Sequence, residues 1–382
     1  MKRVGIEGSP LFGNRTGIGQ FAKRLTTAAS KANSDVSFEI IRHWPPLKKF
    51  KPPIPPNSHL SYRLVKWFPP AVYFQIFKRL GWFLSYDTIA LRRYDVMFFY
   101  NFVAFPVRKN TISVVFVHDL SFVNCPQFVS GKNKMYLDKF VPRSIKRANH
   151  IITISDSSAR QIIEHYKVSS SKISIVTPAI DAADYYPRPE KEITAIQKKY
   201  KLPIRYILYA STLEPRKNVE GILRAYAAMD EKIKKSYGLV LAGGKGWKDE
   251  SILKTIDELL SAGENIVQTG YVPDDDLPAI YSGASLFLYP SFYEGFGIPP
   301  LEAMACGVPV ISADNTSLPE VVGDAGLYVK AEDTDGLTAL AERVLTEPKL
   351  VASLRAKGLA QAKKFSWEKS ATQLLEVLEK IS

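Results

Sequence analysis

The sequence predicts an α/β fold: two parallel sheets, each covered by helices, facing one another across a central cleft. Short apolar runs recur along the whole length, as in Tyr206-Ile-Leu-Tyr209 and Leu286-Phe-Leu-Tyr289. Runs apolar at every position suit strands buried on both faces. Helical stretches alternate with these runs, which implies parallel strands joined by crossover helices. A chain of 382 residues is long enough for two such domains. Residues 179–189 carry prolines and acids and read as the join.

In the first domain, expected over residues 1–185, strands are read at 4–7, 36–41, 94–100, 112–117, 151–154 and 173–176. Helices are read at 16–32, at 132–148 and from 155 onward, where Ser155 suits an N-cap. In the second, expected over residues 186–365, strands are read at 206–209, 239–242, 266–268, 286–289, 308–311 and 326–329. Residues 367–381 hold leucines at helical spacing and read as a final helix. Each half is therefore expected to be Rossmann-like, with ligands at the C-terminal ends of the strands.

Residues 43–93 fit neither pattern and read as an insertion. They are dense in proline, aromatic and basic residues: Trp44, Lys48, Lys49, Lys51, Trp67, Phe68, Lys78, Arg79 and Trp82. Such a mixture suits a membrane interface, and equally an insertion that binds an acceptor without touching lipid. Lys66, Pro69, Pro70, Lys78 and Arg79 prevent it from spanning a bilayer.

The net charge of +13 is unevenly placed. Residues 1–190 hold 28 Lys and Arg against 12 Asp and Glu, whereas the rest holds 23 against 26. The basic half is expected to face an anionic partner such as a membrane surface or a lipid diphosphate. Nucleic acid is not expected, since the second half is acidic and no nucleic-acid fold signature accompanies the patch. Cys125 and Cys306 have no metal-ligand spacing and suggest a reducing compartment. No apolar signal segment follows Met1-Lys-Arg, and no stretch of about 20 uncharged apolar residues is present. The expected location is cytoplasmic, peripheral on the inner face of the cell membrane.

The strongest motif is Tyr293-Glu294-Gly295-Phe296-Gly297-Ile298-Pro299-Pro300-Leu301-Glu302, directly after the apolar run at 284–290. Gly295 and Gly297 let backbone approach a ligand. Pro299 and Pro300 suit the first turn of a helix, and Gly307 its end. A helix N-terminus offers free N–H groups to a phosphate. Glu294 and Glu302 would then flank one anion site, one facing the hydroxyls of a sugar and the other those of a ribose. This E-x7-E segment resembles that of the retaining glycosyltransferases of family 4, which have the GT-B fold. The resemblance extends over nearly the whole chain.

Other segments share it. Ser211-Thr-Leu-Glu-Pro-Arg216-Lys217-Asn218 follows a strand, and adjacent cations there can stabilise a leaving diphosphate. The pair is similar to the family's phosphate-binding Arg/Lys. Many members begin this motif with Gly-Arg where this chain has Ser211-Thr212. The Thr-Leu-Glu-Pro-Arg-Lys-Asn form is similar to a mannosyltransferase-rich branch using GDP-mannose. Gly243, in a glycine-rich strand end, is expected as a further donor contact, or as a simple tight turn. Residues 269–277, with Tyr271, Val272 and Leu277, resemble the segment that holds the nucleobase. Gly17 and Gly19 resemble the family's N-terminal glycine loop. Their G-x-G-x-x-A spacing is also that of a dinucleotide site, but a long loop at residues 8–16 separates them from the first strand. His118 closes an apolar strand, and family members use the matching His against the donor sugar. Asp119 and Ser155 are weaker acceptor candidates.

The resemblance implies a retaining transferase acting on a nucleotide diphosphate sugar, best GDP-mannose, and on a glycan or lipid-linked glycan acceptor. His118, Arg216, Lys217 and Glu294 would carry the chemistry, and residues 366–382 would return to the first domain. No cofactor or metal is expected; Asp274-Asp-Asp276 has a metal-motif spacing but reads as a structural turn. The competing classes are a UDP-sugar transferase, a non-catalytic sugar-nucleotide binder and an NAD-dependent oxidoreductase.

Overall fold

A computed structural model describes residues 1–12, 17–32, 35–43, 51–66 and 85–381. The chain divides into two compact units, Met1–Pro178 with Trp367–Ser382, and Ala179–Ser366.

The first unit is built on seven parallel strands: β1 (Lys2–Glu7), β2 (Val36–His43), β3 (Leu60–Val65), β4 (Val96–Phe99), β5 (Ile112–Phe116), β6 (His150–Thr153) and β7 (Ile173–Ile175). They lie in the order β3-β2-β1-β4-β5-β6-β7. The second unit has six parallel strands: β8 (Tyr206–Ala210), β9 (Gly238–Ala242), β10 (Ile266–Gly270), β11 (Leu286–Tyr289), β12 (Val310–Ala313) and β13 (Leu327–Val329). Their order is β10-β9-β8-β11-β12-β13. In both sheets the order reverses beside the first strand, between β1 and β4 and between β8 and β11. At such a reversal the following loops part and leave a crevice for ligand.

All residues of β8, β9, β11 and β12 are buried, as their apolar runs, broken in β12 by Ser312, require. The final helix, Trp367–Lys380, belongs to the first unit. It lies on helix Gly17–Lys31, burying Leu374, Val377 and Leu378. Trp367 meets Phe21 at 6.1 Å between ring centres. Lys2 Nζ donates to the Leu378 carbonyl (2.8 Å), and Thr177 N–H to Gln373 Oε1 (2.9 Å).

Two expectations need correction. The stretch 43–93 is not wholly an insertion, because residues 60–65 form the edge strand β3, paired from Phe38↔Leu60 to His43↔Val65. Only Leu60 and Val65 of β3 are buried, so the polar interior of an edge strand hid it among basic neighbours. Tyr86 belongs to the core and stacks on Phe105 at 5.6 Å. Trp44, Lys48, Lys49, Trp67, Phe68, Lys78, Arg79 and Trp82, on which the membrane or acceptor reading rests, lie outside the described residues. The strand read at 308–311 is displaced to Val310–Ala313. Val308 N–H closes the preceding helix on the Ala303 carbonyl (2.9 Å), and Pro309 has no N–H to give a ladder.

Candidate active site

The loops that leave β8 and β11 at the sheet's reversal are bonded to each other. After β8, Pro215 starts a short 3-10 turn, Pro215–Lys217, and Asn218 follows at φ +56°. Asparagine is one of the few side chains that take this left-handed conformation readily. Its side chain caps the next helix by accepting from Gly221 N–H (3.2 Å). The same amide donates to the carbonyls of Pro290 (3.1 Å) and Ala331 (2.6 Å). Phe292 N–H donates to the Arg216 carbonyl (2.9 Å). Neighbouring strands thus carry their loops into register, and the charged residues on each loop meet.

Those charges form a buried chain. Lys217 Nζ donates to Glu294 Oε1 (2.5 Å) and to the Tyr289 hydroxyl (2.6 Å). Arg216 Nη1 lies 3.2 Å from Glu294 Oε2 and donates to the Tyr293 carbonyl (2.5 Å). Arg216 Nη2 donates to Glu214 Oε1 (2.7 Å). Lys217 and Glu294 are each 7% exposed and Glu214 is 2% exposed. Burial by itself would raise the Glu294 carboxyl, but Lys217 and Arg216, with hydrogen bonds from Lys217 and Tyr289, hold it at about 2. Burial lowers Lys217, with Glu294 opposing. The carboxylate is thus held charged by the two cations beside it, while the ammonium is opposed by burial and supported by the carboxylate. Ser317 fastens the loop by donating to the carbonyls of Glu294 (2.9 Å) and Phe296 (2.8 Å).

Helix Ile298–Ala305 begins as expected, with its prolines in the first turn. Gly297 sits at φ +120° before it and Gly307 at φ +74° after it. A Cβ on Gly297 would lie 2.8 Å from Leu318 Cδ2. Glu302, on this helix, accepts from Tyr281 OH (2.9 Å). Burial raises its carboxyl, and hydrogen bonds from Tyr281 and Tyr185 act the other way.

The remaining second-unit candidates divide by exposure. Gly295, Phe296 and Val272 are buried, and Phe296 packs edge-on against Phe365 at 5.7 Å. Tyr271 is exposed, Leu277 opens helix Leu277–Gly283, and Ile298 is half-buried. A Cβ on Gly243 would come within 1.9 Å of the Ser211 carbonyl oxygen, so the loops after β8 and β9 themselves demand glycine there. Asp276 accepts from Lys199 Nζ and Tyr200 OH, both at 2.6 Å.

The first-unit candidates are held within that unit. His118 is 6% exposed and donates from Nε2 to the Tyr100 carbonyl (2.7 Å). Phe21 and Phe102 meet its ring edge-on, each at 5.5 Å. Burial lowers its pKa, with the Tyr100 carbonyl and Asp119 opposing. Asp119 accepts from Ser121 N–H (2.8 Å). Ser155 caps helix Asp156–Tyr166 by accepting from Ser158 N–H (3.1 Å). Gly17 and Gly19 lie in the first turn of helix Gly17–Lys31, and a Cβ on Gly17 would meet nothing within 4 Å among the described residues.

Residues 191–361 match the family described as "Glycosyl transferases group 1", and residues 15–184 match "Glycosyltransferase Family 4". The chain is 41% identical over 264 residues to O-antigen chain mannosyltransferase B of Escherichia coli, a match covering 69% of each protein. The chain belongs to the family 4 glycosyltransferases. This glycosyltransferase is also 33% identical over 272 residues to the serotype-specific mannosyltransferase WbdA of Escherichia coli, covering 69% of this chain and 33% of that longer protein. Its fold is GT-B. Sucrose-phosphate synthase from Thermosynechococcus elongatus superposes with a TM-score of 0.74 at 19% identity, covering 99% of this chain and 98% of that one. HepE of Anabaena, solved with UDP and glucose, superposes with a TM-score of 0.71 at 15% identity, covering 99% of each chain.

Sequence reasoning missed Glu214, Tyr289 and Ser317 around the glycosyltransferase's charged cluster, and Tyr281 and Tyr185 around Glu302. Glu214 stands in the quoted motif but reads there as an ordinary acid before a proline. A tyrosine closing a fully apolar strand, as Tyr289 does, was the available signal for a polar group at the strand's end.

Proposed function

We propose that this glycosyltransferase moves a mannosyl residue from GDP-mannose, with retention of anomeric configuration, to a hydroxyl of a glycan or lipid-linked glycan during polysaccharide synthesis. The observation that carries the reading is the buried Lys217–Glu294–Arg216 chain at the β8/β11 reversal. The names of the Escherichia coli relatives support mannose. Arg216 and Lys217 are the diphosphate contacts in this reading. Without donor their charge faces Glu294; with donor the diphosphate shares it, and Glu294 turns one oxygen toward the sugar hydroxyls. As the glycosidic bond breaks, negative charge grows on the diphosphate, and two cations already fixed in place stabilise it at little reorganisation cost. Glu302, set by Tyr281, takes the ribose hydroxyls. The attacking acceptor hydroxyl gives its proton to the departing diphosphate oxygen, so no protein nucleophile is required. The two cations do the work a metal would do at the leaving group, so turnover should survive EDTA. The basic residues of the first 190 suit an anionic membrane or lipid-diphosphate acceptor.

Melting temperature against GDP, UDP, ADP, dTDP and their sugars, with and without EDTA, tests the donor. A ligand at 100 times its Kd stabilises by about 2.7 kcal/mol. A shift with GDP and GDP-mannose that persists in EDTA is expected, followed by NMR detection of an α-mannoside on an added acceptor. The UDP bound to HepE favours a UDP-sugar as the second reading, and a shift with UDP compounds alone would replace GDP-mannose by it.

A further inference from the structure

Glu214 is a buried carboxylate with no part in the chemistry described above. Its Oε1 accepts from Arg216 Nη2 (2.7 Å), whereas its Oε2 is buried and meets no hydrogen-bond partner among the described residues. A carboxylate kept only to brace the fold would be better served with both oxygens bonded. Arg216 is gripped on two sides: Glu294 and the Tyr293 carbonyl face Nη1, and Glu214 faces Nη2. Three acceptors around a planar guanidinium fix its plane as well as its position. In the reading above the Glu294 contact loosens when a diphosphate arrives, because one Glu294 oxygen turns to the sugar hydroxyls. Nothing requires the Glu214 contact to loosen.

The charges facing Glu214 are Arg216, Lys217 and Glu294, with the buried Tyr209 neutral beside them. Burial raises the Glu214 carboxyl, and the two cations oppose it. The Glu294 carboxyl is held low instead. Two carboxyls on one guanidinium are thus pushed apart in proton affinity.

We infer that Glu214 is a positioning residue for the donor: it holds the Arg216 guanidinium in the plane that the diphosphate meets, without touching the donor itself. The inference rests on the reading of Arg216 as a diphosphate contact. The test compares wild type, Glu214→Gln, Glu214→Asp, Glu214→Ala, Arg216→Ala and the Glu214→Ala/Arg216→Ala double variant. Each is measured for the rise in melting temperature caused by inorganic pyrophosphate and by GDP-mannose, relative to its own ligand-free value. A purely structural loss cancels in that difference. Glu214→Ala is expected to lose most of the rise, and Glu214→Gln, which keeps an acceptor oxygen, to retain most of it. Glu214→Asp, one methylene short, should fall between them and covers the case in which the alanine variant does not fold. In the Arg216→Ala background, Glu214→Ala should change nothing further. For whichever nucleotide sugar is turned over, kcat/KM should fall on the order of 10²-fold in Glu214→Ala. A wild-type rise in Glu214→Ala, or two losses that simply add, overturns the inference. So does a wild type that pyrophosphate leaves unshifted. A pyrophosphate rise without a GDP-mannose rise overturns only the choice of donor, and the pyrophosphate cycle still decides the role of Glu214.

Discussion

Replacing Glu294 with alanine strands Lys217 as a cation 7% exposed, with Tyr289 as its remaining close partner. Removing one member of a buried pair typically costs about 3–5 kcal/mol, because the other charge stays desolvated. A second route gives a similar size. The Glu294 carboxyl lies at about 2 against an ordinary 4.5, which corresponds to roughly 3 kcal/mol of preference for the charged form in the folded state. The folded value is the lower one, so this stability is complete above about pH 4.5 and is lost as pH falls toward 2. In a unit of this size 1 kcal/mol moves the melting temperature by about 2–4 °C, so Glu294→Ala should lower the transition of the second unit by roughly 6–20 °C. Calorimetry of wild type, Glu294→Ala and Glu294→Ala/Lys217→Met at pH 7 measures it. The double variant should recover most of the loss, since no unpaired buried ammonium remains. A single variant within about 1 kcal/mol of wild type, or a double variant no more stable than the single, would refute the buried-pair account.

Four further outcomes follow from the same geometry. Gly243→Ala, whose Cβ would sit 1.9 Å from the Ser211 carbonyl, should destabilise the second unit by at least about 1–3 kcal/mol in urea unfolding. Gly17→Ala meets none of the described residues at a helix start and should be neutral or stabilising by about 0.5–1 kcal/mol in the same assay. Asn218→Ala removes one cap and two carbonyl contacts and should cost about 2–4 kcal/mol, read as a shifted midpoint at unchanged urea slope. His118 has its pKa lowered by burial, so the first unit should lose stability as pH drops below about 6.5, by up to roughly 1.4 kcal/mol per pH unit. His118→Gln should flatten that slope, and nitrogen NMR should find the ring titrating below an ordinary exposed imidazole.

Much of the fold was legible because its signals are local. The unbroken apolar runs marked β8, β9 and β11, and Pro299, Pro300 and Gly307 bracketed the helix that carries Glu302. Strand β3 was not legible: an edge strand buries little, and Ser61 and Arg63 break its apolar run. The segment 284–302 announced Glu294 and Glu302 through its glycines and prolines. Glu214 carried no such mark, since its importance comes from the carboxylate's distance to Arg216 and from its burial. His118 shows the opposite difference: its place at a strand's end pointed toward ligand, while its ring lies among Phe21, Phe102 and Phe116 with Nε2 bonded to a carbonyl.

By itself the sequence determined the order and type of nearly all elements, the two-domain α/β class and the loops that carry the clustered charges. Periodicity and the dihedral limits of glycine and proline act within a few residues and need no knowledge of the fold. Only the tertiary structure decided which strands are neighbours and therefore which loops touch. Lys217 and Glu294 are 77 residues apart in sequence and 2.5 Å apart in space because β8 lies beside β11. Their charge states follow from that contact and from the burial around it, and neither exists until the sheet has closed around them.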